Sequence, residues 1–236
     1  MKKLTFLLLA SMLVMTSFGC GSSTTTPASP APKAANDTSY KGVYKGVLSG
    51  STGHFYIDAY NTDATKVTLS FTFDGVSLTL DGTQTTDGGN YLYTFSGSGY
   101  EMIFEVTSTG EVVSATFTYT GHTGTITVDA DKATSATDVS VWEGTETGSC
   151  GTGVWNIIVK GSAIAGMHVQ TTSSCGGEGQ SDAVTGTLTG TSIVCHGGTG
   201  GKVTATGTMS GSSVSGTWSG GGDAGDSGTW SGTKTL

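Results

Sequence analysis

The chain reads as all-β, two tandem antiparallel eight-stranded meander barrels, and three observations carry that reading. Past Tyr40 apolar residues alternate with threonine and serine at period two, and no stretch there has helical periodicity. Clusters of Gly, Asp, Asn and Ser cut the alternation into short segments, eight in each half. The halves also repeat one another. Tyr44-x-Gly46 with Gly50 opens the first, and Trp142-x-Gly144 with Gly148 opens the second. Gly110 before Val113-Ser114-Ala115-Thr116-Phe117 matches Gly211 before Val214-Ser215-Gly216-Thr217-Trp218, ~100 residues on. Two packed β-sandwiches stand as the alternative fold.

Taken in order, the first-half segments lie near residues 41–49, 54–60, 66–74, 75–81, 90–97, 100–107, 111–120 and 123–129. Those of the second half lie near 140–148, 153–160, 163–173, 182–189, 191–197, 202–209, 213–219 and 227–234. Each half ends on a related strand, Thr123-Gly124-Thr125-Ile126 and Ser227-Gly228-Thr229-Trp230. Short connections favour antiparallel neighbours, and eight strands suffice to close a barrel and remove its edges. The modules span residues 40–131 and 138–236, each expected to own a closed core, with Asp129 to Thr137 as linker. Asp81 to Asn90, with Asp87, and Gly220 to Gly228 read as hairpin loops.

Alternation fills the two modules differently. In the first it places Phe71 and Phe73, Leu78 and Leu80, Tyr91, Tyr93 and Phe95, and Phe117 and Tyr119 on one face, enough bulk to plug a barrel. In the second that face reads Val184-Gly186-Leu188-Gly190, Val203-Ala205-Gly207-Met209, Val214-Gly216-Trp218 and Gly228-Trp230-Gly232. Glycines opposite tryptophans predict large side chains interdigitating with small ones, and tight packing is the expected result. An open lumen lined by Val184, Leu188, Met209, Trp218 and Trp230 is the functional alternative. The outward positions carry threonine, at 185, 187, 189, 204, 206, 208, 217 and 229, as a wet sheet face does. A surface for carbohydrate or ordered water is the less ordinary reading.

Ahead of the modules, Lys2 and Lys3 precede an apolar run, Leu4 to Met15, too short to span a bilayer comfortably, and Ser17-Phe18-Gly19-Cys20 follows. This segment resembles the signal of a bacterial lipoprotein, with Gly19 as the small residue before the cut. The resemblance implies that residues 1–19 are removed and that Cys20 becomes the lipidated N-terminus, carrying acyl chains such as palmitate. Residues 20–39 hold all three prolines in a Ser/Thr/Ala-rich setting and read as a flexible spacer. The implied location is the bacterial cell envelope, lipid-anchored on the periplasmic side or the surface. The aromatic-x-Gly opening and the eight-strand count resemble the lipocalin or calycin group, although lipocalins open with Gly-x-Trp. That resemblance implies a barrel closed around an apolar core or ligand and carries over no residue role.

Composition narrows the chemistry. Loss of Lys2 and Lys3 takes the formal charge from −8 to −10, and the chain contains no arginine, so nucleic acid and anionic lipid surfaces are poor partners. Cys150, Cys175 and Cys195 fall toward one end of the second barrel, where one disulfide and one spare thiol are expected; the sequence does not choose the pair. A Cys195/His196 metal site is disfavoured because neighbouring strand residues face opposite ways and no C-x-x-C is present, and Asp223 and Asp226 do not make a full calcium set. His54, His122 and His168 have no catalytic partner at a diagnostic spacing, and Glu101 with Glu105 reads as a solvated face. No enzyme activity, metal or cofactor is expected. The leading expectation is an interaction or structural role with an envelope partner, and the alternative is binding of a small apolar ligand or carbohydrate. An envelope enzyme ranks last.

Overall fold

The computed structural model describes residues 27–48, 53–122, 126–175, 179–198, 200–220 and 226–236. Cys20 and the segment expected to be a signal, Gly50, Thr123 to Thr125 and Asp223 lie outside the described residues. After a 3-10 turn at Ala34–Asn36, the first eight strands are β1 Gly42–Leu48, β2 Gly53–Ala59, β3 Val67–Phe73, β4 Val76–Asp87, β5 Asn90–Gly97, β6 Tyr100–Val106, β7 Val112–Tyr119 and β8 Ile126–Ala133. The second eight are β9 Val139–Gly148, β10 Gly151–Lys160, β11 Ala163–Ser173, β12 Ser181–Thr189, β13 Ser192–Gly197, β14 Val203–Ser210, β15 Ser213–Gly220 and β16 Ser227–Lys234. Each set closes on itself as an antiparallel meander, β8 pairing with β1 and β16 with β9, so neither sheet has an edge. The sandwich alternative is thereby excluded.

Two expected boundaries move. Asp81 to Asn90 is not a loop: β4 runs on to Asp87 and turns through Gly88 and Gly89, both at positive φ, which a two-residue hairpin demands. The linker from Asp129 to Thr137 is also shorter than expected. β8 continues to Ala133 against β1, and a turn held by Asp138, which accepts hydrogen bonds from Thr134 and Ser135, makes the connection. In both places the backbone keeps its ladder through a polar stretch, which period-two alternation alone cannot register.

The first barrel is filled. Tyr44, Phe55, Phe71, Tyr93, Phe95, Phe104 and Phe117 are fully buried, with edge-on contacts such as Phe71–Phe117 and Tyr44–Phe104 at ring separations of 5.4 and 5.2 Å. One end is stoppered by the segment before β1. The Tyr40 carbonyl accepts hydrogen bonds from both Tyr44 and Tyr93 hydroxyls at 2.7 Å, and the Tyr40 ring stacks on Tyr91. Burial pushes both phenols well above the usual tyrosine range. The Lys132 ammonium gathers the carbonyls of Asn36, Asp37 and Ser39, and Asn61 holds the Ala31 carbonyl and the Lys33 amide. The spacer expected over residues 20–39 therefore ends by Ala31, beyond which backbone carbonyls satisfied by Lys132 and Asn61 fix the chain to the barrel.

The cores are separate, but the barrels share a buried seam. Every residue of β1 and β2 is buried, because their outward side chains meet other parts of the chain. Val43 and Ala133 pack with Val139, Ile158 and the half-buried Ala165. Asn156, fully buried on β10, donates to the carbonyls of Leu48 and Gly53 at 2.8 and 2.9 Å. His54 meets Glu143 at 2.7 Å, and the Lys45 ammonium, held below the usual lysine range by burial, donates to the Val139 carbonyl at 3.0 Å. Asn156→Ala strands two buried acceptors, so it is expected to cost about 2–4 kcal/mol. Urea unfolding followed by far-UV circular dichroism measures this, and a loss below about 0.5 kcal/mol would show that the seam contributes little.

Candidate functional site

The second barrel is not filled. A cavity of about 660 Å3 occupies its upper half, opening at the end where β9 turns into β10. The opposite end is shut by two-residue turns at Gly161, Gly190 and Gly211, each with φ between 57° and 62°, and by a core of Trp142, Val159, Ile164, Ile193 and Val214. The open end has longer connections, between β11 and β12, β13 and β14, and β15 and β16.

Tight packing around the tryptophans is therefore corrected, and the reason lies in the glycines that suggested it. A Cβ on Gly207 would overlap the Trp230 ring; one on Gly148 or Gly228 would overlap Trp218; one on Gly144 or Gly232 would overlap Trp155. Each indole lies over bare backbone along the wall, on the adjacent strand or the next but one, instead of reaching across the barrel, so the axis stays open. Trp155 and Trp230 meet at 84° with ring centroids 5.5 Å apart. Their ring nitrogens donate to wall carbonyls, Trp155 to Thr145 and Trp230 to both Thr206 and Thr217, at 3.2 Å. Trp218 Nε1 is buried without a partner among the described residues.

Of the expected lumen residues, Val184, Trp218 and Trp230 line the cavity. Leu188 and Met209 do not. They sit deeper, packed on the closed core beside the two-residue turns. Ile157, Cys195 and Ala205 complete the apolar wall.

The mouth is polar. Glu146, His168, Gln170, Asp182, Lys202 and Asp226 line it. His168 Nε2 lies 3.0 Å from Glu146 Oε1, with side chains 26% and 11% exposed, so the pair sits inside the rim. The isolation of His54 and His168 expected from sequence spacing is corrected: their carboxylate partners, Glu143 and Glu146, come from another strand. Gly153, between them on β10, makes the His168 pair possible, since a Cβ there would strike both His168 and Glu146. The signal available in the sequence was the run of inward glycines alone, which does not identify the partner strand.

Cys150 and Cys175 form the disulfide, with Cα atoms 5.4 Å apart, and both border the cavity mouth. It ties the β9–β10 turn to the loop after β11. Cys195 is free and buried, its thiol pushed up to about 11 by burial, which leaves it un-ionised and weakly nucleophilic at neutral pH. Asp226 accepts from the Ser149 hydroxyl and the Ser227 amide, and among the described residues no group of three or more His, Cys, Asp or Glu is placed to hold a metal ion.

No protein-family model matches this chain, and no curated protein is significantly similar to it. Its class is set by the architecture, a tandem pair of closed eight-stranded β-barrels, one filled and one hollow.

All four tryptophans belong to the second barrel, so indole fluorescence reports on it selectively. Reductant is expected to destabilise that signal's unfolding transition by about 3 kcal/mol, the chain-entropy value for a loop of this size. An unchanged urea midpoint after complete reduction would refute a stabilising role for the Cys150–Cys175 bond.

Proposed function

We propose that this chain is a lipid-anchored protein of the bacterial cell envelope whose second barrel holds a small, partly apolar molecule and whose first barrel is its structural support. It works as a binder, as lipocalin-like barrels do, and catalyses no reaction. The observation that carries this reading is the cavity of about 660 Å3, beside a sister barrel of equal strand number whose interior is packed with buried aromatic side chains. Such a volume falls within the roughly 300–1,000 Å3 of small-molecule sites, and an apolar wall with a few polar groups at the rim is their usual lining. The non-catalytic part of the proposal is supported by Cys195, whose buried thiol is a poor nucleophile, and by the pairing of His168 with Glu146, to which no hydroxyl or thiol is hydrogen-bonded among the described residues.

The envelope part rests on Lys2, Lys3, the apolar run and Gly19-Cys20. In this reading the short segment between Cys20 and Ala31 is the tether, and the membrane lipid contact is made by the acyl chains of Cys20 alone.

Two measurements test the halves of the proposal separately. N-phenyl-1-naphthylamine, a neutral apolar fluorophore that accepts energy from indole, is expected to bind saturably and quench the tryptophan emission. Ala205→Phe, which places a ring in the lumen, is expected to weaken it at least about tenfold. Absence of saturable quenching removes the binding proposal. Cys20→Ala is expected to leave the protein exported but in the soluble fraction, because no other attachment is proposed. Persistence of that variant in membranes after a high-salt wash contradicts the anchor.

A further inference from the structure

Resting on the lumen reading above, we infer that the second barrel selects a cationic amphiphile, a molecule with an apolar body and a protonated amine at one end. The lower wall supplies the site for the body. Trp155 and Trp230 turn their ring nitrogens to strand carbonyls, which leaves indole carbon as their contribution to the cavity, beside Ile157, Val184 and Ala205. Those groups offer dispersion contacts, and aromatic rings also attract cations.

Charge at the upper wall fixes the other end. Glu146 lies opposite Trp230 in the β9–β16 register, immediately above the indoles, and Asp182 lies opposite His168 in the β11–β12 register. Asp226 adds a third carboxylate at the rim, already occupied with Ser149 and Ser227. Against these three, Lys202 is the single lysine lining the cavity among the described residues, and the chain has no arginine. Glu146 accepts one hydrogen bond from His168 through Oε1, which orients the carboxylate and leaves Oε2 for a ligand. An ionised carboxylate in a partly desolvated site favours a cation strongly and opposes an anion, since both effects grow as the surrounding dielectric falls. A carboxylate-bearing amphiphile placed with its tail on the tryptophans would bring its charge against Glu146 and Asp182.

The test uses three probes with one body and three head charges: 4-phenylbutylamine, 4-phenylbutanol and 4-phenylbutyrate. Each is titrated into the full chain by calorimetry with tryptophan fluorescence in parallel. The amine is expected to bind at least about tenfold more tightly than the butyrate, with the alcohol between, the scale of one charge-assisted hydrogen bond. Glu146→Gln is expected to reduce the amine's affinity about tenfold and to leave the alcohol's within about twofold. Asp182→Asn serves as a second variant, expected to weaken the amine in the same sense, and far-UV circular dichroism confirms that both variants retain the barrels. Binding of the alcohol and butyrate with no preference for the amine overturns the inference and leaves the lumen reading standing. Equal weakening of all three probes by Glu146→Gln assigns that residue a structural part and also overturns it. Failure of all three probes to bind overturns both readings together.

Discussion

The hollow barrel depends on one steric pairing, an indole laid over glycine one or two strands away along the wall. Trp155 over Gly144 and Gly232, Trp218 over Gly148 and Gly228, and Trp230 over Gly207 form a repeated arrangement in which the largest side chain occupies the space of an absent one. Spread along the wall, three tryptophans line the barrel without crossing its axis. The same residues opposite alanine or valine would be driven inward, and eight strands leave too little room for that without filling the lumen. Glycine in a strand normally weakens it; here the cost is balanced by indole area buried against backbone.

The first barrel shows the other outcome of the same strand count. Its inward positions are phenylalanine, tyrosine and leucine, whose rings meet edge-on across the axis, and its N-terminal segment is drawn in as a stopper by the Tyr40 carbonyl and the Lys132 ammonium. The Tyr40 carbonyl accepts from the Tyr44 and Tyr93 hydroxyls, which lets both phenols stay buried, and the Lys132 ammonium is satisfied by the carbonyls of Asn36, Asp37 and Ser39. Strand number thus sets the diameter, and side-chain choice decides whether the interior is core or cavity.

β10 links the two properties of the molecule. Its outward residues Asn156 and Ile158 enter the seam with the first barrel, while Trp155 and Ile157, one position away, face the lumen. The wall that carries Trp155 is therefore backed by a packed barrel, not by solvent. Across the mouth, the Cys150–Cys175 bond ties the β9–β10 turn to the end of β11. The cavity is held from behind by packing and at its rim by a covalent bond.

Strand identity, the tandem repeat and the meander were legible in the sequence because period-two alternation and turn residues are local signals. So was the placement of three cysteines at one end of one barrel. At Thr85 to Asp87 the strand runs on through polar residues to pair across a tight turn with Asn90 to Leu92, and at Asp129 to Ala133 a linker continues a ladder whose partners in β1 lie far away in the chain, so local composition misleads in both places. The site was only partly legible. Val184, Trp218 and Trp230 were named from alternation, whereas the positions of Leu188 and Met209 below the cavity depend on which barrel end is shut. His168 with Glu146, and Asn156 with the Leu48 and Gly53 carbonyls, were invisible, because each pair is made by strand register or by barrel-to-barrel packing. The sequence alone determined which residues face inward; only the tertiary structure decided whether the indoles meet across the axis or lie along the wall, since that depends on which glycines strand register brings beneath each tryptophan, one or two strands away.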